Sequence, residues 1–536
     1  MFTTVDWLVV AAYVLLTAAV AGWASRREGK SAQEYFLAGR SAGWFVIGSS
    51  IFAANIGADH LVGLAGGGAA DGLAVAQFEI IGAPCLLLLG WLFAPFYLRS
   101  GVYTMPEFVE RRYSKGPRWY LAAISIIGYV LTKVSVTIAA GGIVFETLMG
   151  VNFWVGAIVV IVATGAYTLW GGLKAVLYTD MIQMVVMIAG AVVVTVIGLQ
   201  ELGGPAGLIT AVPSGALSLW RAPSDPTYPW TGLIFGLPVI GVWYWCTDQF
   251  IVQRTLAAQD LSEARRGVIF AGFLKQLPLF LFVLPGLVAA ALHARGALAL
   301  HRPDESLPAL VGQLLPPGLR GLVAAGLLAG LMGALSAVFN STATLMTIDV
   351  YQRLRPQASE KSLVLVGRLA VVGMILLSLA WIPFMGLISG HLFTYIQKIQ
   401  SYIAPPVAAI FVGGVLFRRA NSVGAICTLI VGGALGLARL LLEMNAAKLT
   451  GHWRAVVEFN FLHFAFALFC VCLAVLVAVS AVTRAPSAEA RQLTLAGAEG
   501  APLESSRDRN WDLWLSMALI VLIVGVWLVF SPLVFG

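Results

Sequence analysis

Ser49-Ser50-Ile51-Phe52-Ala53-Ala54-Asn55-Ile56-Gly57-Ala58-Asp59-His60 is a small, polar stretch, followed at once by Gly63, Gly66, Gly67 and Gly68. It lies in the middle of an apolar run, and its reading depends on the solvent around it. The chain of 536 residues has 59% hydrophobic and only 11% charged residues, against about 25% charged in an average soluble domain. Its mean hydropathy is +0.88, and apolar runs recur from Val5 to Phe535. The surroundings are therefore a lipid bilayer. There the stretch reads as a helix that unwinds in mid-membrane, tolerated only where freed carbonyls and amides line a cavity, and transporters use such breaks to bind substrate and coupling ion. The competing reading is close helix packing through small residues.

Working outward, stretches such as 155–163 and 521–530 are apolar on every face, which excludes the alternating pattern of a transmembrane β-barrel. The class is an all-α polytopic membrane protein. Hydropathy places about fourteen spans, near 5–24, 44–66, 73–98, 119–148, 153–171, 176–200, 230–253, 265–293, 320–350, 364–386, 392–417, 423–443, 460–482 and 511–534. With the N-terminus outside, 23 Lys and Arg fall in inner connections and 6 in outer ones; the other four, Lys133, Lys275, Lys398 and Arg439, fall within spans. The positive-inside rule then puts both termini on the extracellular or periplasmic side. The short tail points to a plasma membrane, the inner one of a bacterium. Residues 5–21 lack a preceding basic region and a cleavage site, so they read as a retained first helix.

The net charge of +7 is scattered through short loops, not gathered in a patch, which argues against nucleic acid. No polar stretch is long enough to fold as a separate soluble domain, and the six histidines show no metal or catalytic spacing, so an enzyme is not expected. The five cysteines, Cys85, Cys246, Cys427, Cys470 and Cys472, read as core residues. Oligomeric state is not legible. Ionisable residues within spans are costly and mark functional candidates: Glu79, Lys133, Asp180, Asp248, Lys275 and Lys398. For Lys133 and Asp248 the plainer reading is a helix staple. A second polar interruption, Trp243-Tyr244-Trp245-Cys246-Thr247-Asp248-Gln249, lies five helices after the first, the pattern of an inverted-repeat transporter.

Six blocks carry a resemblance: AANIGADHLVGLAGGGAADGLAVAQFE (53–79), GVYTMPEFVERRY (101–113), GGLKAVLYTDMIQ (171–183), WYWCTDQFIVQR (243–254), NSTATLMTIDVY (340–351) and LFTYIQKIQSYIAPP (392–406). In these the chain resembles the sodium/solute symporter family, and within it the sodium/glucose cotransporters, over about residues 5–480. The resemblance implies a LeuT-type fold of two inverted five-helix repeats, here near 44–200 and 230–417. A first helix and loop (1–43) precede them, an outer loop (201–229) separates them, and three further helices (418–536) follow, with an inner loop at 483–510. It implies a mid-membrane sugar site with His60, Glu79, Lys275 and Gln397, joined by Asn55, and with Tyr244 and Trp245 as the aromatic surface. Leu64, Phe78 and Phe393 fall at the outer gate and Tyr244 at the inner one. Carboxylate, ammonium and amide groups suit a ring of alternating hydroxyls, and aromatic faces suit the C–H face of a pyranose. One contact that carries a polar side chain in several relatives falls on Gly241.

The ion site departs from the family pattern. The resemblance puts its carbonyls on Ala53, Ile56 and Gly330 and an acid close by on Asp180, but the two hydroxyl positions fall on Gly333 and Ala334. Three carbonyls leave a hard cation short of the roughly five or six oxygens it takes, so Na+ binding is expected to be weakened. A shifted register would bring Ser336, or Asn340 and Ser341, to the site. Alternatively Asp180 could carry a proton in place of the cation, or no coupling ion is used. The expected function is secondary transport of a glucose- or galactose-like hexose or a polyol by alternating access, with Na+ coupling in doubt. The alternatives are a proton-coupled or uncoupled sugar facilitator, a myo-inositol transporter, and a sugar-gated sensor or channel.

Overall fold

The computed structural model describes residues 2–25, 36–57, 59–382, 392–495 and 505–535. Among them the chain is helical apart from its connections and two isolated β-bridges. In chain order the apolar helices are α1 (Thr4–Ala24), α2 (Trp44–Asn55), α3 (His60–Ser100), α4 (Lys115–Met149), α5 (Phe153–Ala166), α6 (Leu173–Glu201), α7 (Trp230–Thr247), α8 (Leu261–Ala294), α9 (Leu319–Leu354), α10 (Glu360–Trp381), α11 (Phe393–Leu416), α12 (Ser422–Met444), α13 (Phe461–Val482) and α14 (Arg507–Phe535).

Among the described residues twelve of these are long and apolar enough to cross a membrane, against the fourteen spans expected. The two that fall short are α2, cut by the break after Asn55, and α5. The missing half of the second span is the start of α3, which turns sharply at Gly72, where φ is +76°. A side chain there would stand 2.5 Å from Ala216 O, so both the left-handed backbone and the close approach require glycine. α5 and α6 belong to one helical run, Phe153–Glu201. It is not straight. A straight helix would hold Val160 and Gln183 about 35 Å apart, yet Val160 shares a contact with Leu331 and Gln183 touches Gly333, two residues further along α9.

α9 lies at the centre, and nearly every residue from Gly321 to Thr344 is buried. α6 packs against it in the opposite sense through glycines: Gly190 faces Val323 and Gly326 faces Met187, the small-residue contact that lets membrane helices approach closely. α1 closes the same side. Its Asp6 Oδ1 accepts from the amides of Gly318 and Gly321 at 2.8 Å each, capping the first turn of α9. α2 is held against α8 where Gly48 meets Gly267, and a side chain on Gly48 would stand 2.7 Å from Gly267 O. Of the five cysteines, Cys85, Cys246 and Cys472 are buried as expected; Cys427 is half-buried and Cys470 exposed, an apolar position that suits lipid contact as well as core.

Candidate functional site

The helix does break where the sequence turns polar. The amide of Gly57 donates to Asn55 O at 2.9 Å, and those of His60 and Leu61 donate to Gly57 O at 3.1 Å. Ala53 O and Ile56 O thus lose the donors that a continued helix would supply. Helical turns of π type then begin at Asp59. α7 ends the same way: Val242–Thr247 is π-helical, Asp248 is extended (φ −77°, ψ 130°), and a new helix starts at Gln249. Irregular turns of this kind mark functional sites in helices.

Between the two breaks the expected sugar-site residues come together. Glu79 is buried and uses both carboxylate oxygens: Oε1 meets His60 Nε2 at 2.9 Å, and Oε2 accepts from Lys275 Nζ. The same ammonium donates to Asn55 Oδ1, and Asn55 Nδ2 donates to the Tyr244 hydroxyl at 2.7 Å. His60, Glu79, Lys275, Asn55 and Tyr244 are therefore one continuous network spanning both breaks. Lys275 is 0% exposed, and in such surroundings an unpaired ammonium is very costly, so the network is obligatory in the absence of another partner. Trp245 packs edge-on to Tyr244 with ring centroids 4.9 Å apart, and the Lys275 ammonium lies 5.0 Å from the Trp245 ring centre.

Asn55, His60, Glu79, Tyr244 and Trp245 line a cavity with Gln397, Phe78, Phe393, Gly82, Gly241 and Gln400, while Lys275 stands behind Glu79 and Asn55 and is not part of the lining. The volume open to the centre of a water-sized sphere is only ≈ 40 Å³, room for a few waters, since one needs roughly 10–15 Å³ on that measure. A hexose does not fit without the side chains moving apart. Phe78 and Phe393 meet edge-to-face at 5.1 Å, and Tyr228 packs on Phe78 at 5.9 Å. Leu64 is fully buried but does not line the cavity, while its neighbour Gly63 backs onto Phe393. Tyr228 was not anticipated from sequence because it comes from the 201–229 connection. Burial first, and then the Asp71 carboxylate, drive its phenol well above the usual range, so it stays neutral. Gln400 was also missed; its spacing of three from Gln397 puts both amides on one helix face.

Lys133 and Asp248, read as a staple, border the site. The Lys133 ammonium lies 5.0 Å from the Tyr244 ring centre, and Asp248 accepts from the Tyr129 hydroxyl. Lys398 lies outside the cavity, where it pairs with Glu443.

The residues expected to hold the ion lie on the other side of the first break. A Cβ on Gly330 would stand 3.0 Å from Ile56 O; one on Gly333 would stand 3.4 Å from Ala53 O and 3.6 Å from Asp180 Oδ1. Gly330 and Gly333 thus face the two freed carbonyls. Ser336 donates to Gly333 O at 2.9 Å and Ser341 to Gln253 at 3.1 Å, so neither takes the place of the absent hydroxyls. Asp180 Oδ2 accepts from Ser50 at 2.5 Å and from Arg254 at 3.3 Å, while its Oδ1 is buried without a hydrogen-bond partner. Gln183, one turn along α6, is fully buried beside the Tyr13 phenol of α1, with which its amide makes no well-aligned hydrogen bond. Its Oε1 sits 2.7 Å from where a Gly333 side chain would begin. Sequence reading passed over Gln183, although it closes the quoted block 171–183 and its i+3 spacing from Asp180 was available. The oxygens gathered here, one carboxylate, one amide and backbone carbonyls, are a donor set that fits a hard cation.

A freed backbone at mid-membrane, with a polyol-type polar network on one side and bare oxygens on the other, is the arrangement of a solute–cation transporter. Solved structures share the fold. A Na+-coupled sialic acid symporter superposes with a TM-score of 0.77 at 20% identity, covering 91% of this chain and 100% of the other. MHP1, a nucleobase-cation-symport-1 family transporter, does so with 0.52 at 14% identity, covering 90% and 98%. The fold is thus LeuT-type. The chain is 40% identical over 516 residues to sodium/glucose cotransporter 4 of Mus musculus, covering 89% of this chain and 75% of the relative. To a sodium/mannose cotransporter of Bos taurus it is 42% identical over 523 residues, covering 90% and 87%. The family model for sodium:solute symporters matches residues 35–432, which include both breaks and the side chains gathered around them. The chain is a multi-pass membrane transporter and not an enzyme, and it belongs to the sodium:solute symporter family.

Proposed function

We propose that the chain carries a pyranose sugar or a closely related polyol by alternating access, driven by a cation gradient. The observation that carries this reading is the closed network from His60 through Glu79, Lys275 and Asn55 to Tyr244. Each of its bonds can be exchanged for one to a sugar hydroxyl, which both donates and accepts. Glu79 accepts from hydroxyls, Lys275 donates, and Gln397, Gln400 and His60 do either. Tyr244 and Trp245 offer faces to the C–H side of the ring. The Glu79 carboxylate on the cavity wall disfavours an organic anion. Relatives named for glucose and for mannose differ in the configuration of one hydroxyl, so a hexose is the substrate class.

In this reading Phe78 and Phe393, under Leu64 and Tyr228, form the outer gate, and Tyr244, steadied by Lys133, the inner one. Residues 44–200 and 230–417 are the two repeats that rock about the site. Both termini lie outside, on the basic-residue asymmetry, in a plasma or inner membrane. Ala53, Ile56, Gly330 and Asp180 would hold Na+, which supplies the driving gradient and orders the broken backbone when bound. The absence of hydroxyls at Gly333 and Ala334 favours a second reading, a proton-coupled or uncoupled facilitator.

The test is uptake of labelled glucose, mannose, galactose and myo-inositol into proteoliposomes under a sodium gradient, a proton gradient or neither. Accumulation of a hexose under the sodium gradient is expected. Failure of all four to enter faster than into empty vesicles would overturn the assignment.

A further inference from the structure

α11 presents two opposite faces. Phe393, Gln397 and Gln400, spaced by four and three, face the cavity, whereas Lys398 and Tyr402 point the other way, toward α12. There a buried acid takes hold of both: Glu443 Oε1 accepts from the Lys398 ammonium and Oε2 from the Tyr402 hydroxyl. Oε2 also faces Arg439 Nε at 3.7 Å, and Arg439 Nη2 donates to Val457 O at 2.7 Å and Phe459 O at 2.8 Å in the connection that follows α12. Neither the sugar network nor the expected ion residues use this cluster, although a carboxylate buried away from water is costly to keep.

The cluster grips only one half of the helix. Pro405 and Pro406 interrupt α11, so the carbonyls of Ser401 and Tyr402 lack the helical donors that would satisfy them. α12 comes close at this point through glycine: a side chain on Gly436 would stand 2.3 Å from Tyr402 O, and one on Gly432 2.5 Å from Pro406. Beyond the prolines the helix is fixed, with residues 407–411 buried and Arg112 donating to Gly414 O at 2.7 Å and Phe417 O at 3.2 Å. Before them it is held by Tyr395, whose hydroxyl donates to Leu131 O at 2.6 Å, and by Glu443. This is the half that must move, because the closed cavity of ≈ 40 Å³ admits no hexose until Phe393 parts from Phe78.

We propose that Glu443 is a positioning residue for the sugar: anchored by Arg439, it clamps Lys398 and Tyr402 and so holds the first half of α11 where Gln397 and Gln400 meet the sugar and Phe393 closes over it. The two prolines are the hinge about which that half swings when the gate opens. The inference rests on the sugar reading above and deepens it. Hydrogen bonds that tie ionised groups are the stronger ones, and α12, none of whose residues lines the cavity, thereby sets sugar affinity from outside it. Weakening the clamp lowers the fraction of molecules with α11 in place, and apparent affinity falls with that fraction.

The experiment measures saturable uptake of labelled glucose and mannose into proteoliposomes holding the purified full-length protein under a sodium gradient, with rates scaled to folded protein by thermal unfolding of the same preparations. Glu443→Gln keeps the shape and loses the charge, so half-saturation should rise about five- to tenfold while the maximal rate stays within about twofold. The Lys398 side chain is 27% exposed and its ammonium can reach water, so Lys398→Met should fold. Its half-saturation should rise at least about threefold, whereas Lys398→Arg, which keeps the charge, should hold it within about twofold. Pro405→Ala/Pro406→Ala, which returns donors to the two carbonyls, should cut the maximal rate at least about threefold with no rise in half-saturation. A mere helix staple predicts a lower melting temperature and less folded protein, with half-saturation unchanged in Glu443→Gln and Lys398→Met; that result would overturn the clamp while leaving sugar transport intact. A rise in Lys398→Arg equal to that in Lys398→Met would overturn it too, and so would proline replacement that leaves the maximal rate unchanged. If wild type carries neither sugar, the sugar reading falls and the proposal with it.

Discussion

The two sides of the first helix break hold polar groups in opposite conditions. On the sugar side every charged group is engaged: Glu79 with His60 and Lys275, Lys275 with Asn55, Asn55 with Tyr244. On the cation side Asp180 Oδ1 has no hydrogen-bond partner and the Gln183 amide makes no well-aligned hydrogen bond. The first is a site that has closed on itself, and a ligand enters only by exchanging bonds one for one. The second gains bonds when a ligand arrives and gives up none that is well aligned. Three residues join them: Ala53 and Ile56 turn carbonyls to the cation side, while Asn55 turns its side chain to the sugar side. A cation that fixes those carbonyls also fixes Asn55, and so favours the arrangement that the sugar must meet. Such coupling is reciprocal, and bound sugar should raise cation affinity by the same factor.

The largest expected effect comes from opening the closed side. Glu79→Gln leaves the Lys275 ammonium buried without its counter-charge, which costs about 3–5 kcal/mol of stability, and sugar uptake should fall by about a hundredfold or more. Lys275→Ala should do the same. Uptake at matched amounts of folded protein separates lost binding from lost protein. The double variant Glu79→Gln/Lys275→Met should regain the melting temperature, since removing both partners of a buried pair is often neutral, but not the uptake. If the double variant transports, the pair is a helix staple and the contrast between the two sides is wrong.

A smaller effect tests the bridge. Tyr244→Phe keeps the aromatic face and removes only the 2.7 Å bond from Asn55. Loss of one such bond is worth about 1 kcal/mol, so half-saturation by sugar should rise about fivefold. If Asn55 carries the coupling, the increase in Na+ affinity on adding sugar should shrink as well. An unchanged increase would place the coupling elsewhere.

The sequence discloses the first break through composition, because small and polar residues crowd an apolar span, and a bilayer tolerates that only for a reason. Glu79, Lys275 and Asp180 are legible because charge within a span is costly. Gln183 and Gln400 were not, since an amide in a span has a bland alternative as a helix–helix hydrogen bond. Only the third dimension shows that Gln183 lies beside the Tyr13 phenol and sits against a glycine where family resemblance leads one to expect a hydroxyl. The shortfall from fourteen spans has a similar cause: hydropathy averages across Asn55–Gly57 and across the turn at Gly72, whereas the backbone divides there. The pairing of Lys398 with Glu443, a helix away, carried no sequence signal, because the two come together only when α11 packs on α12.

The smallest expected effect concerns which hexose is preferred. Gly241 lacks the polar side chain expected at that contact, and a Cβ there would stand 2.6 Å from Cys85 Sγ. Cys85 therefore occupies on the sugar side the place a residue at 241 would claim, as Gln183 does at Gly333 on the cation side. The two substitutions differ in chemistry. An amide oxygen can serve in place of a hydroxyl toward a cation, but a thiol is a poor hydrogen-bond partner for a sugar. Gly241→Thr should thus overpack the site and slow all sugars about fivefold, the lower end of a cost of about 1–3 kcal/mol. Adding Cys85→Ala should relieve the clash and change the ratio of glucose to mannose uptake by about fivefold, the worth of one hydroxyl contact. Competition between the two labelled sugars in one preparation measures that ratio free of expression level. A ratio that stays constant would mean that discrimination lies with Gln397 and Gln400 on α11, and that the space beside Gly241 is only packed, never read.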